Sequence, residues 1–453
     1  MEKNISRRDF LKIGGAGALA AGAAIACGPK QAGPSSGQGG NGEMEYRINH
    51  QNGDKVSLLG YGCMRWPMVK DKDTGRDIID QEKVNELIDK AMAGGVNYYD
   101  TSPAYLQGQS ERATGIALAR YPRDSYYIAT KLSNFGDSSA EASKQMYFDS
   151  FREMQTDYFD YYLFHSIGRG GLRAFNQRYV DNGMVDFVLA EREAGRLRQV
   201  GFSFHGAQKE FDELLALHDK YHWDFVQIQM NYMDWRHADG VRNVNAEYLY
   251  EELDKREIPI TVMEPIQGGR LSSVPANVAA KLKERDPDAS AASWAFRFVG
   301  TYPRILTVLS GMTYMEHLED NLKTFSGFKP MSAEELSFME EMAVLMAEYP
   351  TINCNQCNYC MPCPYGINIP GIFDHYNKCV NEGAVPQSAA QKNYRKLRRE
   401  YLTSYDKAIP TLRQADHCIG CGQCLEHCPQ SIAIPDELHR IDRYIEKLKQ
   451  DTL

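Results

Sequence analysis

From Leu58 to Ser310, short apolar runs alternate with longer stretches whose apolar residues recur at helical spacing. The short runs, rich in β-branched and aromatic side chains, predict strands at Leu58–Tyr61, Asn97–Asp100, Tyr126–Lys131, Tyr161–His165, Gln199–Ser203, Phe225–Gln229, Ile260–Met263 and Leu306–Ser310. Between them, apolar positions three and four apart predict helices such as Glu82–Ala93, Glu111–Arg120, Ala140–Met154, Gln208–His218 and Ala279–Arg285. Eight such repeats predict an α/β fold, a (β/α)8 TIM barrel over residues 44–346. An open doubly wound sheet usually has a glycine-rich turn after its first strand; no G-x-G-x-x-G follows Leu58–Tyr61.

The barrel leaves a C-terminal stretch, 347–453, whose pattern changes. It is dense in cysteine and predicts helices at Pro370–Asn381 and Ser388–Tyr405 but no strands. Of eleven cysteines, eight fall in two runs. One is Cys354, Cys357, Cys360 and Cys363, each after two intervening residues, then Pro364. The other is Cys418, Cys421 and Cys424, then Cys428 after three, then Pro429. Three cysteines at successive x2 steps wrap a short loop so that three sulfurs can face three irons of one cube. Structural zinc sites usually use two cysteine pairs across a longer spacer. Disulfides are the other alternative, disfavoured because such close spacing bridges poorly. The second run resembles that of bacterial two-[4Fe–4S] ferredoxins. By that resemblance the fourth cysteine of each run serves the other cluster. Cluster one takes Cys354, Cys357, Cys360 and Cys428; cluster two takes Cys418, Cys421, Cys424 and Cys363. The long helical linker between the runs resembles an all-α ferredoxin domain. Of the remaining cysteines, Cys379 reads as a half-buried helical residue without a role.

The N-terminus adds a targeting reading. Ser6-Arg7-Arg8-Asp9-Phe10-Leu11-Lys12 precedes a soft apolar run to Ala26 and resembles a twin-arginine export signal, against a plain basic N-terminus. Ala24-Ile25-Ala26-Cys27 resembles a lipoprotein cleavage box, with ordinary cleavage as the alternative. Residues 1–27 are thus the signal, and 28–43, rich in Gly, Ser and Pro, a flexible tether. The expected location is periplasmic, with a lipid at Cys27 as the membrane anchor. No run of 18 or more apolar residues predicts a membrane span. A net charge of −9 without a basic patch argues against nucleic acid.

Polar residues cluster at the predicted strand ends, where barrels carry their chemistry. Asp100-Thr-Ser-Pro-Ala-Tyr105 with Gly108-Gln-Ser-Glu111, then Ala129-Thr-Lys131 and Leu163-Phe-His165, resemble in order the motifs of the aldo-keto reductase family. The resemblance covers roughly residues 46–326. It implies that Tyr105 is the acid, that Lys131 lowers the phenol's pKa, that Asp100 holds Lys131, and that His165 orients the substrate oxygen. It also implies NAD(P)(H) as cofactor, held by Ser203, Gln227 and Asn321. The family's Ser-Asn pair is Ser203-Phe204 here, and its aromatic after strand seven is replaced by Met263-Glu264-Pro265. Its basic segment after strand eight is Ser310-Gly311-Met312, which removes the expected grip on a 2′-phosphate. Cys63 stands where the family often has Thr near the cofactor.

Two functions compete on this sequence. One is an iron–sulfur oxidoreductase interconverting a small-molecule carbonyl and alcohol, with electrons exchanged through two [4Fe–4S] clusters. The other is a non-catalytic barrel whose ferredoxin domain relays electrons to a membrane or periplasmic partner. Hydride carries two electrons and each cluster passes one, so the first reading must explain how the two sites connect.

Overall fold

The computed structural model describes residues 42–238 and 243–453. The chain divides into two units, Met1–Gly39 and Gly40–Leu453, and the description below concerns the second. The signal and Cys27 lie outside the described residues, as does most of the tether.

Eight parallel strands close into a barrel: β1 (Leu59–Gly62), β2 (Tyr98–Asp100), β3 (Tyr127–Leu132), β4 (Phe159–Gly168), β5 (Leu197–His205), β6 (Phe225–Gln229), β7 (Ile260–Met263) and β8 (Ile305–Ser310). Each pairs with its sequence neighbours, and β8 returns to β1 with Val308 opposite Leu59. Strand side chains alternate between the barrel interior and the helix layer. Tyr98, Ala129, Tyr161, Leu163, Phe225 and Leu306 fill the interior. Two residues further along the same strands, the same facing carries Asp100, Lys131, His165 and Gln227 to the C-terminal rim. An antiparallel hairpin, Tyr46–Ile48 with Lys55–Ser57, lies at the other end. There Tyr161 Oη donates to Asp54 Oδ2 at 2.8 Å.

The outer layer includes α1 (Gln81–Ala93), α2 (Ser110–Leu118), α3 (Ala140–Met154), α4 (Met184–Glu193), α5 (Gln208–Leu215), α6 (Ala246–Lys255), α7 (Ala291–Gly300) and α8 (Met315–Phe325). Side-chain caps fix several starts: Asp80 accepts from Lys83 N and Ser139 from Ala142 N. The segment expected as one helix, Gln208–His218, is α5 followed by a separate turn, His218–Tyr221. β4 and β5 run past the expected ends, His165 and Ser203, by three and two residues. Their pairing shifts register between Phe164 and Ile167, and Ser166 takes φ 50°. His165 therefore sits at a bulge rather than at a strand end, where bulges re-aim side chains.

A further helix, α9 (Ala333–Ala347), starts on a capping box between Ser332 and Glu335. It adds Met339, Met342 and Met346 to the barrel core. A separate core begins at Ile352 and is built by α10 (Ile369–Asn381), α11 (Tyr394–Ala408) and α12 (Ile434–Gln450). On α12, Leu438, Ile441, Ile445 and Leu448 are buried at helical spacing and pack into it. Cys379 is buried in this core, more so than expected.

Candidate active site and cysteine cavities

Asp100 and Lys131 form a buried pair at the rim, with Lys131 Nζ 2.5 Å from Asp100 Oδ1 and 2.8 Å from Thr101 O. Gln227 Nε2 donates to the other Asp100 oxygen at 3.0 Å. The carboxylate is thus fully engaged, which offsets the cost of burying both charges. Burial lowers the Lys131 pKa, and Asp100 opposes that shift.

Tyr105 follows on the loop after β2, with its ring centroid 5.0 Å from Lys131 Nζ. Its hydroxyl has no hydrogen-bond partner among the described residues and the residue lines the barrel cavity. The expected lowering of its pKa by Lys131 is corrected here. Burial first, and Asp100 second, raise the phenol well above its ordinary value. Lys131 directs its protons to Asp100 and Thr101 instead. Tyr105 is therefore a neutral phenol.

His165 is held from behind. Its Nδ1 lies 2.5 Å from Ser133 Oγ and 3.3 Å from Ser102 Oγ, and the two hydroxyls are 2.8 Å apart. Arg178 Nη2 donates to the His165 carbonyl at 3.0 Å. Burial, then Lys131, keep its pKa well below the usual imidazole value. A neutral ring fixed at Nδ1 leaves Nε2 as its remaining polar atom. Ser102 and Ser133 were not read from the sequence. Ser102 stands inside the Asp100–Tyr105 motif and Ser133 two residues after Lys131, so the signal was there as spacing.

Glu111 lies behind this group, accepting from Thr130 Oγ1 at 2.5 Å and Ser150 Oγ at 3.1 Å. Burial raises its pKa to about 7 from the usual 4.5. Because the folded value lies above the unfolded one, its contribution to stability is present below about pH 4.5 and is lost as pH rises through about 7. Glu111→Gln is expected to reduce the loss of thermal stability between pH 5 and pH 8, by roughly 3 kcal/mol at most. Melting curves at both pH values check this; an unchanged difference sinks it.

A cavity of about 440 Å³ opens from Asp100, Tyr105, His165 and Gln227. It runs along β8 to Asn321, whose Nδ2 donates to Ser310 Oγ at 2.9 Å. Ser203 does not line it. Its hydroxyl accepts the Ser166 amide at 2.7 Å across the bulge, which takes it out of the cavity. Cys63 is fully buried, and burial raises its thiol pKa strongly, so it stays an inert thiol. The far end of the cavity is acidic: Glu316 and Asp320 line it, and Asp320 accepts from Ser290 Oγ at 2.6 Å.

Glu264, after β7, is the unexpected member. Its backbone is left-handed at φ 57°, a conformation that costs a side-chain-bearing residue about 1–2 kcal/mol. Asn355 Nδ2 donates to its Oε1 at 2.8 Å, so Glu264 meets the loop of the first cysteine run. Arg65 Nη2 donates to Asn355 O at 2.5 Å, and Arg270 Nη2 to Thr351 Oγ1 at 3.1 Å. A Cβ on Gly268, at φ 66°, would stand 2.1 Å from Asn355 O, so only glycine lets the loop approach. Gln430 and Gln229 exchange amide bonds of 3.0 and 3.3 Å. These contacts seat the cysteine loop on the barrel mouth, and Cys357, Tyr359 and Pro429 line the barrel cavity itself.

Two further cavities hold the cysteines. Cys354, Cys357, Cys360 and Cys428 line one. Cys363, Cys418, Cys421 and Cys424 line the other, of about 310 Å³, which Cys360 also borders. All the cysteines among the described residues are free thiols. Burial raises Cys354 and Cys424 to about 11 and Cys360 to about 12, so each carries its proton until a metal displaces it. Among the described residues, no three His, Cys, Asp or Glu side chains converge tightly enough for a single ion. Four thiols around each of two cavities are the donor set that an iron–sulfur cube takes.

Comparison with known proteins bears on each part. Residues 353–433 match the 4Fe-4S dicluster domain, and residues 4–24 the TAT (twin-arginine translocation) pathway signal sequence. An uncharacterized oxidoreductase of Bacillus subtilis, YqkF, is 22% identical over 63% of this chain and 92% of its own length. L-Galactose dehydrogenase of Arabidopsis thaliana is 22% identical over 67% of this chain and 95% of its own. Among solved structures, a holo aldo-keto reductase from Bacillus halodurans superposes with a TM-score of 0.53 at 21% identity, covering 66% of this chain and 96% of its own. One from Klebsiella pneumoniae, in complex with NADPH, gives 0.52 at 20% identity, covering 66% and 96%. Residues 58–344, the barrel and its rim, match the aldo/keto reductase family, and the chain belongs to that family of oxidoreductases, with a 4Fe-4S dicluster domain following the barrel and a twin-arginine signal before it.

Proposed function

We propose that the protein is an exported iron–sulfur oxidoreductase that interconverts a small carbonyl and its alcohol in the barrel cavity and exchanges the electrons through two [4Fe–4S] clusters. The observation that carries this reading is the shared wall. Cys357 lines both the barrel cavity and one cysteine cavity, and Tyr359 lines the barrel cavity and the other. A ferredoxin domain that served only as a separate relay would have no need to close the reductase mouth. The clusters take Cys354, Cys357, Cys360 and Cys428, and Cys363, Cys418, Cys421 and Cys424. When bound, they accept or supply electrons one at a time.

In the barrel, Tyr105 holds the proton that a carbonyl oxygen takes as hydride arrives, or receives it back when an alcohol is oxidised. His165 donates a hydrogen bond to the same oxygen through Nε2. Lys131 and Asp100 keep a fixed charge distribution behind the phenol at no reorganisation cost. Gln227 and Asn321 would hold a nicotinamide cofactor, which would supply or take the hydride when bound. Ser203 is withdrawn from that set by its bond to Ser166. The twin-arginine signal supports a periplasmic location, in which Cys27 would be the lipid-bearing residue. The acceptor or donor beyond the clusters is an electron-transfer protein or membrane redox partner.

The acidic end of the cavity sets the cofactor choice. A 2′-phosphate carries nearly two negative charges at neutral pH and would face Glu316 and Asp320. NAD⁺ is expected to bind anaerobically purified protein at least about tenfold more tightly than NADP⁺, a difference of about 1.4 kcal/mol. Equilibrium titration checks the order. Tighter binding of NADP⁺ contradicts the assignment of this end of the cavity, and binding of neither contradicts the nicotinamide step.

A further inference from the structure

The wall of the barrel cavity after β7 does not hold its shape alone. Between Glu264 and Gly269 the backbone is left-handed at four positions: Glu264 and Gln267 at φ 57° and 47°, Gly268 and Gly269 at 66° and 112°. Two of these residues carry side chains, for which the conformation is strained, and such strain persists only where surrounding contacts over-determine it. The contacts come from the first cysteine run. Asn355 Nδ2 donates to Glu264 Oε1 at 2.8 Å, and Asn355 O accepts from Arg65 Nη2 at 2.5 Å. The Asn355 backbone also fills the space that a Cβ on Gly268 would need. The Gly268 amide donates to the Glu264 carboxylate, which closes the segment on itself. Arg270, just beyond, donates to Asn353 Oδ1 and Thr351 Oγ1. Glu264, Gly268, Gly269 and Asn355 all line the barrel cavity.

The cysteine run is no stiffer by itself. Between α9 and α10, all among the described residues, the chain forms no helix or strand, and Gln356 and Asn358 are left-handed too. Asn355 stands between Cys354 and Cys357, which line one cysteine cavity together with Cys360 and Cys428. A cluster held by those thiols fixes the residue that in turn fixes the cavity wall. We propose that Asn355 is a positioning residue that couples cluster one to the barrel cavity, so that a dinucleotide binds tightly only when cluster one is in place. This rests on the readings of the cavity as the nicotinamide site and of the cysteines as cluster ligands. Such linkage is reciprocal: a cluster that strengthens dinucleotide binding is itself stabilised by the dinucleotide. Direct electrostatics has the opposite sign. The thiolate-bound cluster and the dinucleotide are both anionic and repel, so repulsion alone would make binding tighter once the cluster is lost.

The test is equilibrium titration of NAD⁺ into full-length, anaerobically purified protein, with iron counted in each sample. Cys354→Ser removes a ligand of cluster one, and Cys418→Ser one of cluster two, however the fourth cysteines of the two runs are shared. Cys354→Ser is expected to bind NAD⁺ at least about fivefold more weakly than the wild type, and Cys418→Ser within about twofold of it. Asn355→Leu keeps the side-chain size and every cluster thiol but loses the donor. It is expected to hold its iron and still bind NAD⁺ at least about fivefold more weakly, and Asn355→Gln, which keeps an amide, to recover part of the loss. NAD⁺ is expected to slow the loss of iron to a chelator severalfold in the wild type and not in Asn355→Leu, a readout that a purely structural residue would not move. If Asn355→Leu fails to hold iron, the two cysteine variants and the chelator assay on the wild type still carry the test. Full affinity in Cys354→Ser or in iron-loaded Asn355→Leu, an equal loss in Cys354→Ser and Cys418→Ser, or no protection of iron by bound NAD⁺ overturns the coupling alone. Binding to none of these proteins, the wild type included, overturns the nicotinamide reading and the coupling with it.

Discussion

Tyr105→Phe is expected to lower turnover by about 10²- to 10⁴-fold while leaving iron content, fold and substrate affinity nearly unchanged. The size follows from the role: loss of a positioned general acid removes a term present only in the transition state. The selectivity follows from the structure. The Tyr105 hydroxyl makes no hydrogen bond to the described residues, so its removal leaves no buried group unpaired. The ring, 5.0 Å from Lys131 Nζ, stays in place and continues to cover the Asp100–Lys131 pair. Steady-state kinetics with an iron assay reads both halves. Unchanged kcat would remove Tyr105 from the mechanism, and a loss of iron would show that the substitution acts through structure.

The second large effect concerns the cysteines. Cys428→Ser takes one thiol from the cavity lined by Cys354, Cys357 and Cys360, although Cys428 belongs to the second run in sequence. Iron is expected to fall from about eight to about four per chain. Adding Cys354→Ser to that variant should cost nothing more, because both residues serve one cluster. Adding Cys418→Ser should bring iron close to zero. Such non-additivity is the signature of shared partners. The reverse pattern, in which Cys418→Ser adds nothing and Cys354→Ser removes the rest, would mean that each run binds its own cluster.

The barrel and the polar residues at its rim were legible because both are written in local period. Alternation along a strand that puts Tyr98, Ala129 and Leu163 inside also brings Asp100, Lys131 and His165 to the rim. What the sequence concealed has three physical sources. Helix α7 buries most of its surface, with Trp294, Ala295, Phe296, Phe298 and Val299 all inside and Arg297 the one charged residue along it, so its polar face is narrow and its pattern weak to the eye. The bulge between Phe164 and Ile167 is a property of how β4 pairs with β5, and no single strand encodes it. The direction of the Tyr105 shift depends on burial by distant chain, which outweighs the nearby ammonium.

The same holds for the junction between the two cores. Glu264 and Asn355 are far apart in sequence, and neither carries a motif. Their contact depends on Gly268, whose missing Cβ lets the cysteine loop approach. Pro429, which in sequence only ends a cysteine run, lines the barrel cavity. The cysteine spacing revealed a metal centre, but only three-dimensional closure connects it to the reductase site. Under the proposed function, this closure bears on the mismatch between two-electron hydride chemistry and one-electron clusters: two clusters would together take up the pair that a hydride carries.

That connection is open to one direct measurement. Iron-loaded protein kept free of oxygen is mixed with an alcohol substrate and an equivalent of NAD⁺, and the visible absorbance of the clusters is followed in time. The account predicts that the absorbance bleaches in the wild type and not in Tyr105→Phe, while dithionite bleaches both. Conversion of the alcohol with accumulation of NADH and unbleached clusters in the wild type would contradict it.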